Sequence, residues 1–117
     1  MTVRERAVLD RLLTLDFPGR DALREQIRWA RVSKIDTNGS LLFRVRGPVA
    51  HVTRRVPVEG RYLDGTTDPI GPAVNVLLHV VDGKLIELEV YKDDGIEMGV
   101  GPFDVDLSKL EVSPDAG

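Results

Sequence analysis

A chain of 117 residues that is 42% hydrophobic and carries a net charge of −3 fits one domain with a modest core around a sheet, and no second domain is expected. It contains no cysteine, which excludes disulfides, thiolate zinc sites and a cysteine nucleophile, and no apolar run approaches the roughly 20 residues of a membrane span. We therefore expect a soluble, cytoplasmic protein: one α+β domain over residues 1–114, with 115–117 a frayed C-terminus.

Thr2-Val3-Arg4-Glu5 has the spacing of a capping box, so a helix is expected to start there. Val8, Leu9, Leu12 and Leu13 recur at helical spacing as one apolar stripe, while Arg4, Arg6, Asp10 and Arg11 face water. Phe17-Pro18-Gly19 ends it. Arg20 to Ala30 repeats the pattern with Leu23, Ile27 and Ala30, flanked by Ala22, Gln26 and Trp29. The only tryptophan, Trp29, is large and half-polar, and is expected to seal the junction between this helix and the first strand.

Strands follow. Arg31 to Asp36 and Ser40 to Arg46 flank Thr37-Asn38-Gly39, a hairpin turn signal. Asn38-Gly39-Ser40 also fits a glycosylation sequon, which an unexported turn explains better. His51 to Glu59 alternates again, with Val52, Val56 and Val58 inward and Arg54 breaking the pattern. GRYLDGTTDPIGP, residues 60–72, reads as a long exposed loop.

Ala73 to Tyr91 organises the rest: two apolar runs joined by Asp82-Gly83, a pair that supplies the positive φ of a tight hairpin. A three-residue loop Val81-Asp82-Gly83 puts Val74, Val76, Leu78 and Val80 on one face with Ile86, Leu88 and Val90. Asn75, Leu77, His79 and Val81 then share the other face with Leu85, Glu87, Glu89 and Tyr91. Beyond Lys92-Asp93-Asp94-Gly95, the residues Phe103, Val105, Leu107, Leu110 and Val112 form a poorly periodic last segment. Helices first and strands after predict an α+β fold, two N-terminal helices packed on an antiparallel meander sheet of about five strands. The second face of that sheet is the natural place for function.

The stretches FPGRDALREQI, IDTNGSLLFRV, RRVPVEG and VLLHVVDGKLIELEVYKDDG resemble a family of small, uncharacterised bacterial proteins known as a domain of unknown function. The resemblance runs from the first helix through Gly95 and implies no established activity. Thr66 to Ala73 lengthens the loop ahead of the central strand, and the end after Gly95 is irregular relative to that family.

The polar constellation worth weighing is His79 with Glu87 and Glu89, plus Asn75 and Tyr91, all directed to one face. One imidazole and two carboxylates can bind a divalent metal or move a proton. Glu87 and Glu89 lie about 7 Å apart along a strand, so Asp64 or Asp68 would have to complete a site from the loop. A solvated face with His79 hydrogen-bonded to a carboxylate explains the same residues, and no catalytic residue, metal ligand or cofactor is assigned.

Arg44, Arg46, Arg54 and Arg55 crowd adjacent strands and could touch phosphates, but the chain is acidic overall and only 5% aromatic, so nucleic acid is not expected. Those arginines are expected to pair with Glu87, Glu89 or the late aspartates. Gly99-Val100-Gly101 lacks the rest of a dinucleotide fingerprint, and no phosphate loop, G-x-S-x-G or H-E-x-x-H occurs. His51 is expected to be structural. Charge is uneven: residues 1–61 hold 13 basic against 7 acidic residues, whereas residues 62–117 hold 3 against 12. Either the halves neutralise each other across strands, or the second presents an acidic face.

Together these observations favour a non-enzymatic protein-interaction module, by analogy a toxin-neutralising immunity-type protein whose partner is a basic toxin domain, with a homodimer as another way to cover the mixed face. The alternative is a small-ligand or metal-binding protein or an acid/base enzyme using His79, Glu87 and Glu89.

Overall fold

The computed structural model describes residues 1–65 and 72–114, so Asp68, residues 66–71 of the expected 60–72 loop and the expected frayed end lie outside the described residues. The elements are α1 (Val3–Leu12), α2 (Arg20–Ile27), β1 (Arg31–Lys34), β2 (Leu41–Arg44), β3 (Val58–Tyr62), β4 (Val74–Val81), β5 (Lys84–Lys92), a 3-10 turn (Leu107–Lys109) and β6 (Glu111–Pro114). This is an α+β fold with two helices on a six-stranded antiparallel sheet. None of the described helices is long and apolar enough to cross a membrane.

α1 starts where the capping box requires. Thr2 Oγ1 accepts from the Glu5 amide at 3.0 Å and Glu5 Oε1 accepts from the Thr2 amide at 2.8 Å, satisfying donors that a helix start leaves open. Val8, Leu9, Leu12 and Leu13 are buried as one stripe. Two arginines on the same helix reach the C-terminal segment: Arg4 donates to the Phe103 and Val105 carbonyls, and Arg11 to the Leu110 carbonyl. That clamp orders a stretch with little periodicity of its own.

The strand order is β1-β2-β5-β4-β3-β6. Neighbours in sequence pair at β1–β2 and along β3–β4–β5, but β2 lies against β5, and β3 pairs outward with β6, so the meander is interrupted. The cause is the path of the chain after β2. Residues 49–55 pass around the tip of the β4–β5 hairpin, where the Ala50 amide donates to the Gly83 carbonyl and the Val80 amide to the Arg55 carbonyl. β3 is thereby delivered to the far side of β4. The expected strand over His51 to Glu59 is replaced by this irregular wrap, and the strand begins only at Val58. Gly60, Arg61 and Tyr62, expected in a loop, are in β3.

At the hairpin tip the turn has two residues, not three. Asp82 and Gly83 both take positive φ, 52° and 75°, and Val81 pairs with Lys84. A bulge then restores the parity: Val80 pairs with Leu85, His79 with Glu87, and Ile86 is left without an opposite. Leu85 therefore joins the core with Val80, and Ile86 is only half-buried, the reverse of the sequence expectation. Beyond the bulge the faces follow the alternation, with Val74, Val76, Leu78, Leu88 and Val90 buried under the helices.

At Gly60 a side chain of α1 packs directly on the sheet backbone. A Cβ there would stand 2.9 Å from Leu110 Cδ1 and 3.1 Å from Leu12 Cδ2, so the missing side chain is what admits those leucines. Gln26 of α2 is also buried. Its Nε2 donates to the Pro48 and Gly83 carbonyls, both at 2.8 Å, and its Oε1 accepts from the Leu85 amide at 2.9 Å. One amide thus fastens helix, wrap and hairpin tip together.

Candidate functional site

Both helices contribute to the core face of the sheet, and the opposite face is left uncovered by them. Register places its side chains in rows. Glu59, Leu77 and Glu89 lie directly opposite one another across β3, β4 and β5; Arg61, Asn75 and Tyr91 form the next row; His79, Glu87 and Leu42 form the row on the other side, across β4, β5 and β2. Asn75, His79, Glu87, Glu89 and Tyr91 therefore do share one face, as period-two alternation requires.

His79 is the hub of the central cluster. Its Nε2 lies 2.8 Å from Glu89 Oε1, and its Nδ1 accepts from Arg55 Nε at 3.4 Å. With a donor on Nδ1, the ring proton sits on Nε2 and points at Glu89. The contact is a neutral hydrogen bond when the imidazole is neutral and an ion pair when it is protonated. Glu87 stands directly across from His79, and ligand atoms of all three residues lie within 4.8 Å of one another. A divalent cation fits that spacing, but it would have to displace the Nε2 proton and sit next to the Arg55 guanidinium. The geometry is better matched to an Arg55–His79–Glu89 chain.

Asn75 and Tyr91 have other engagements. Asn75 is buried and donates from Nδ2 to Asp93 Oδ1 at 2.6 Å, while Asp93 Oδ2 accepts from Arg61 at 3.2 Å and from the Ala73 amide. Tyr91 is 39% exposed, and partial burial, then Asp93, Glu89 and Glu59, push its phenol above the ordinary tyrosine value, so it stays neutral. Glu59 and Glu87 make no ion pair or hydrogen bond through their side chains among the described residues.

Asp64 is not part of this group. Its carboxylate lies 3.0 Å from Lys92 Nζ and accepts from the Gly99 amide at 2.9 Å, and both side chains are essentially sealed from water. Lys92 shares the parity of Leu88 and Val90, which puts the pair on the helix side of the sheet, opposite His79. A carboxylate two residues past Tyr62 and a lysine ending a strand gave no signal of pairing, because they are 28 positions apart in sequence.

Two further expectations are overturned. Trp29 is 52% exposed, so it does not seal the helix–strand junction; the Arg46 and Arg28 guanidinium groups sit 5.0 and 5.9 Å from its ring centre. Such contacts at an exposed site contribute about 0.5–1 kcal/mol each. Among the described residues Arg44 and Arg46 do not pair with Glu87, Glu89 or the late aspartates, whereas Arg55 reaches Glu89 through His79. Most ion pairs of the basic half are local, such as Arg6–Asp10, Arg20–Asp21 and Arg28–Glu25, whereas Arg61–Asp93 joins the two halves. His51 is exposed, at the wrap around the hairpin tip.

No protein-family model, curated protein or solved structure matches the chain.

Proposed function

We propose that the protein acts by binding, and that the uncovered sheet face receives a partner protein bearing basic groups. The observation that carries this reading is the row pattern of that face. Leu42 and Tyr91 are exposed at 43% and 39%, Leu77 is half-buried, and the carboxylates Glu59 and Glu87 beside them have no cation of their own among the described residues. Apolar contacts ringed by charge are what a protein interface uses, with the charges setting orientation and partner choice. A basic toxin domain neutralised by this chain is the most specific form of the reading.

Affinity capture from the native host tests it, using wild type and two surface variants, Leu42→Asp with Tyr91→Ala, and Glu59→Lys with Glu87→Lys. A basic protein held by wild type at low salt and lost by both variants is the expected result. Retention of the same protein by both variants would remove this face from the interaction. A salt-insensitive homodimer that dissociates on Leu42→Asp would put a second copy there instead.

A further inference from the structure

At its β1 edge the uncovered face turns basic, because Arg44 shares the parity of Leu42. Arg31 and Arg44 lie directly opposite each other on β1 and β2, and both are exposed. Like charges in that relationship destabilise a sheet. No carboxylate forms an ion pair with Arg31, Arg44 or Arg46 among the described residues. Trp29, Arg31, Arg44, Val45 and Arg46 line one depression of about 240 Å³, with the Arg46 guanidinium held beside the indole.

We propose that this depression binds a nucleotide, its phosphate on the guanidinium groups of Arg31 and Arg44 and its base against the exposed indole of Trp29. Guanidinium presents a planar fork of donors that matches phosphoryl oxygens, and two such forks side by side are relieved of mutual repulsion by an anion between them. An indole supplies the flat apolar surface on which a base stacks without regard to its identity. Nucleic acid was not expected from the acidic overall charge and the 5% aromatic content, but both are averages over the chain, and here basic side chains and the single tryptophan line one depression. A single indole accommodates a single base, so the ligand is a free nucleotide or a short single-stranded segment.

Trp29 is the only tryptophan, so its emission reports on this site directly. The folded chain is titrated at low salt with adenosine monophosphate and, separately, with a labelled dT oligonucleotide of about ten residues, a length within single-strand site sizes. A saturable change in emission with either probe is expected, weakened at least about tenfold, a loss of the order of one phosphate or base contact, in Arg31→Ala with Arg44→Ala. Saturation by the mononucleotide identifies a free nucleotide, and saturation by the oligonucleotide alone identifies a strand. For the strand, the dependence of log K on log salt should lose about 0.7 in slope when that one phosphate is no longer neutralised. Arg31→Lys with Arg44→Lys keeps the charge but loses the forks, and should bind with intermediate affinity. No saturable change with either probe, or equal affinity of wild type and both variants, would overturn the proposal. Its failure would leave the partner face untouched, because that reading rests on Leu42, Tyr91, Glu59 and Glu87.

Discussion

Lys92 and Asp64 form an ion pair at 3.0 Å with side chains 2% and 0% exposed, at the end of the longest strand and on the helix side of the sheet. Asp64 also holds the Gly99 amide, so the pair ties β5 to the chain entering the C-terminal segment. Removing one partner of a buried pair strands the other charge without water. Lys92→Met should therefore destabilise by about 3–5 kcal/mol, and Asp64→Asn with Lys92→Met should recover part of that loss. Denaturant unfolding of both single variants and the double checks this; a double variant whose loss equals the sum of the two single losses would show that the pair is not coupled.

Gln26 should be nearly as intolerant. Leucine at this position leaves the Leu85 amide and the Pro48 carbonyl without the Gln26 hydrogen bonds, at a cost of about 1–3 kcal/mol for each group left unsatisfied, while the Gly83 carbonyl keeps the Ala50 amide. We expect Gln26→Leu to lower stability by about 3 kcal/mol. Gln26→Glu should also destabilise, since a carboxylate would face two carbonyl oxygens. Chemical denaturation of both, with amide exchange at Leu85 as the local readout, tests the role.

Tyr62 sets an alkaline limit. Its hydroxyl donates to the Val100 carbonyl at 2.7 Å, and burial first, then Asp64 and Asp104, hold its phenol far above the ordinary value of 10.0. The folded state therefore keeps the proton that the unfolded state releases above pH 10, so this contribution is intact below that pH and is lost as pH rises beyond it. The stability difference between wild type and Tyr62→Phe should shrink between about pH 9 and 11, measured by urea unfolding. A constant difference across that range would contradict the assigned environment.

At His79 the expectation is modest. The Glu89 carboxylate is 40% exposed, so solvent screens the contact, and His79→Ala with Glu89→Gln should reveal a coupling under about 1 kcal/mol. Calorimetric titration with zinc should give the same heats for wild type and His79→Ala, because Arg55 opposes a cation at Nδ1. A saturating heat lost only in the variant would instead make the His79, Glu87 and Glu89 group a metal site.

Local chemistry was legible from the residues alone. The Thr2–Glu5 box, the leucine stripe of α1 and the Asp82-Gly83 turn are each decided within a few positions, by hydrogen-bonding reach, helical pitch and permitted φ. The sharing of one face by Asn75, His79, Glu87, Glu89 and Tyr91 was legible for the same reason. A two-residue turn compensated by one bulged residue leaves side-chain parity unchanged far from the turn, so the wrong loop length still led to the right face.

What only the tertiary structure decided are relationships between residues distant in sequence. Alternation says which way Lys92, Arg44 and Trp29 point relative to their neighbours, but not what stands opposite them. That follows from the wrap of residues 49–55 around the hairpin tip, which sends β3 past β4 and leaves β2 against β5. Asp64 is thereby buried on Lys92, whereas the β1–β2 hairpin sets Arg44 opposite Arg31 at an exposed edge where no carboxylate among the described residues pairs with either. Pitch and pleat are properties of a short segment, whereas charge pairing depends on how the whole chain closes on its core.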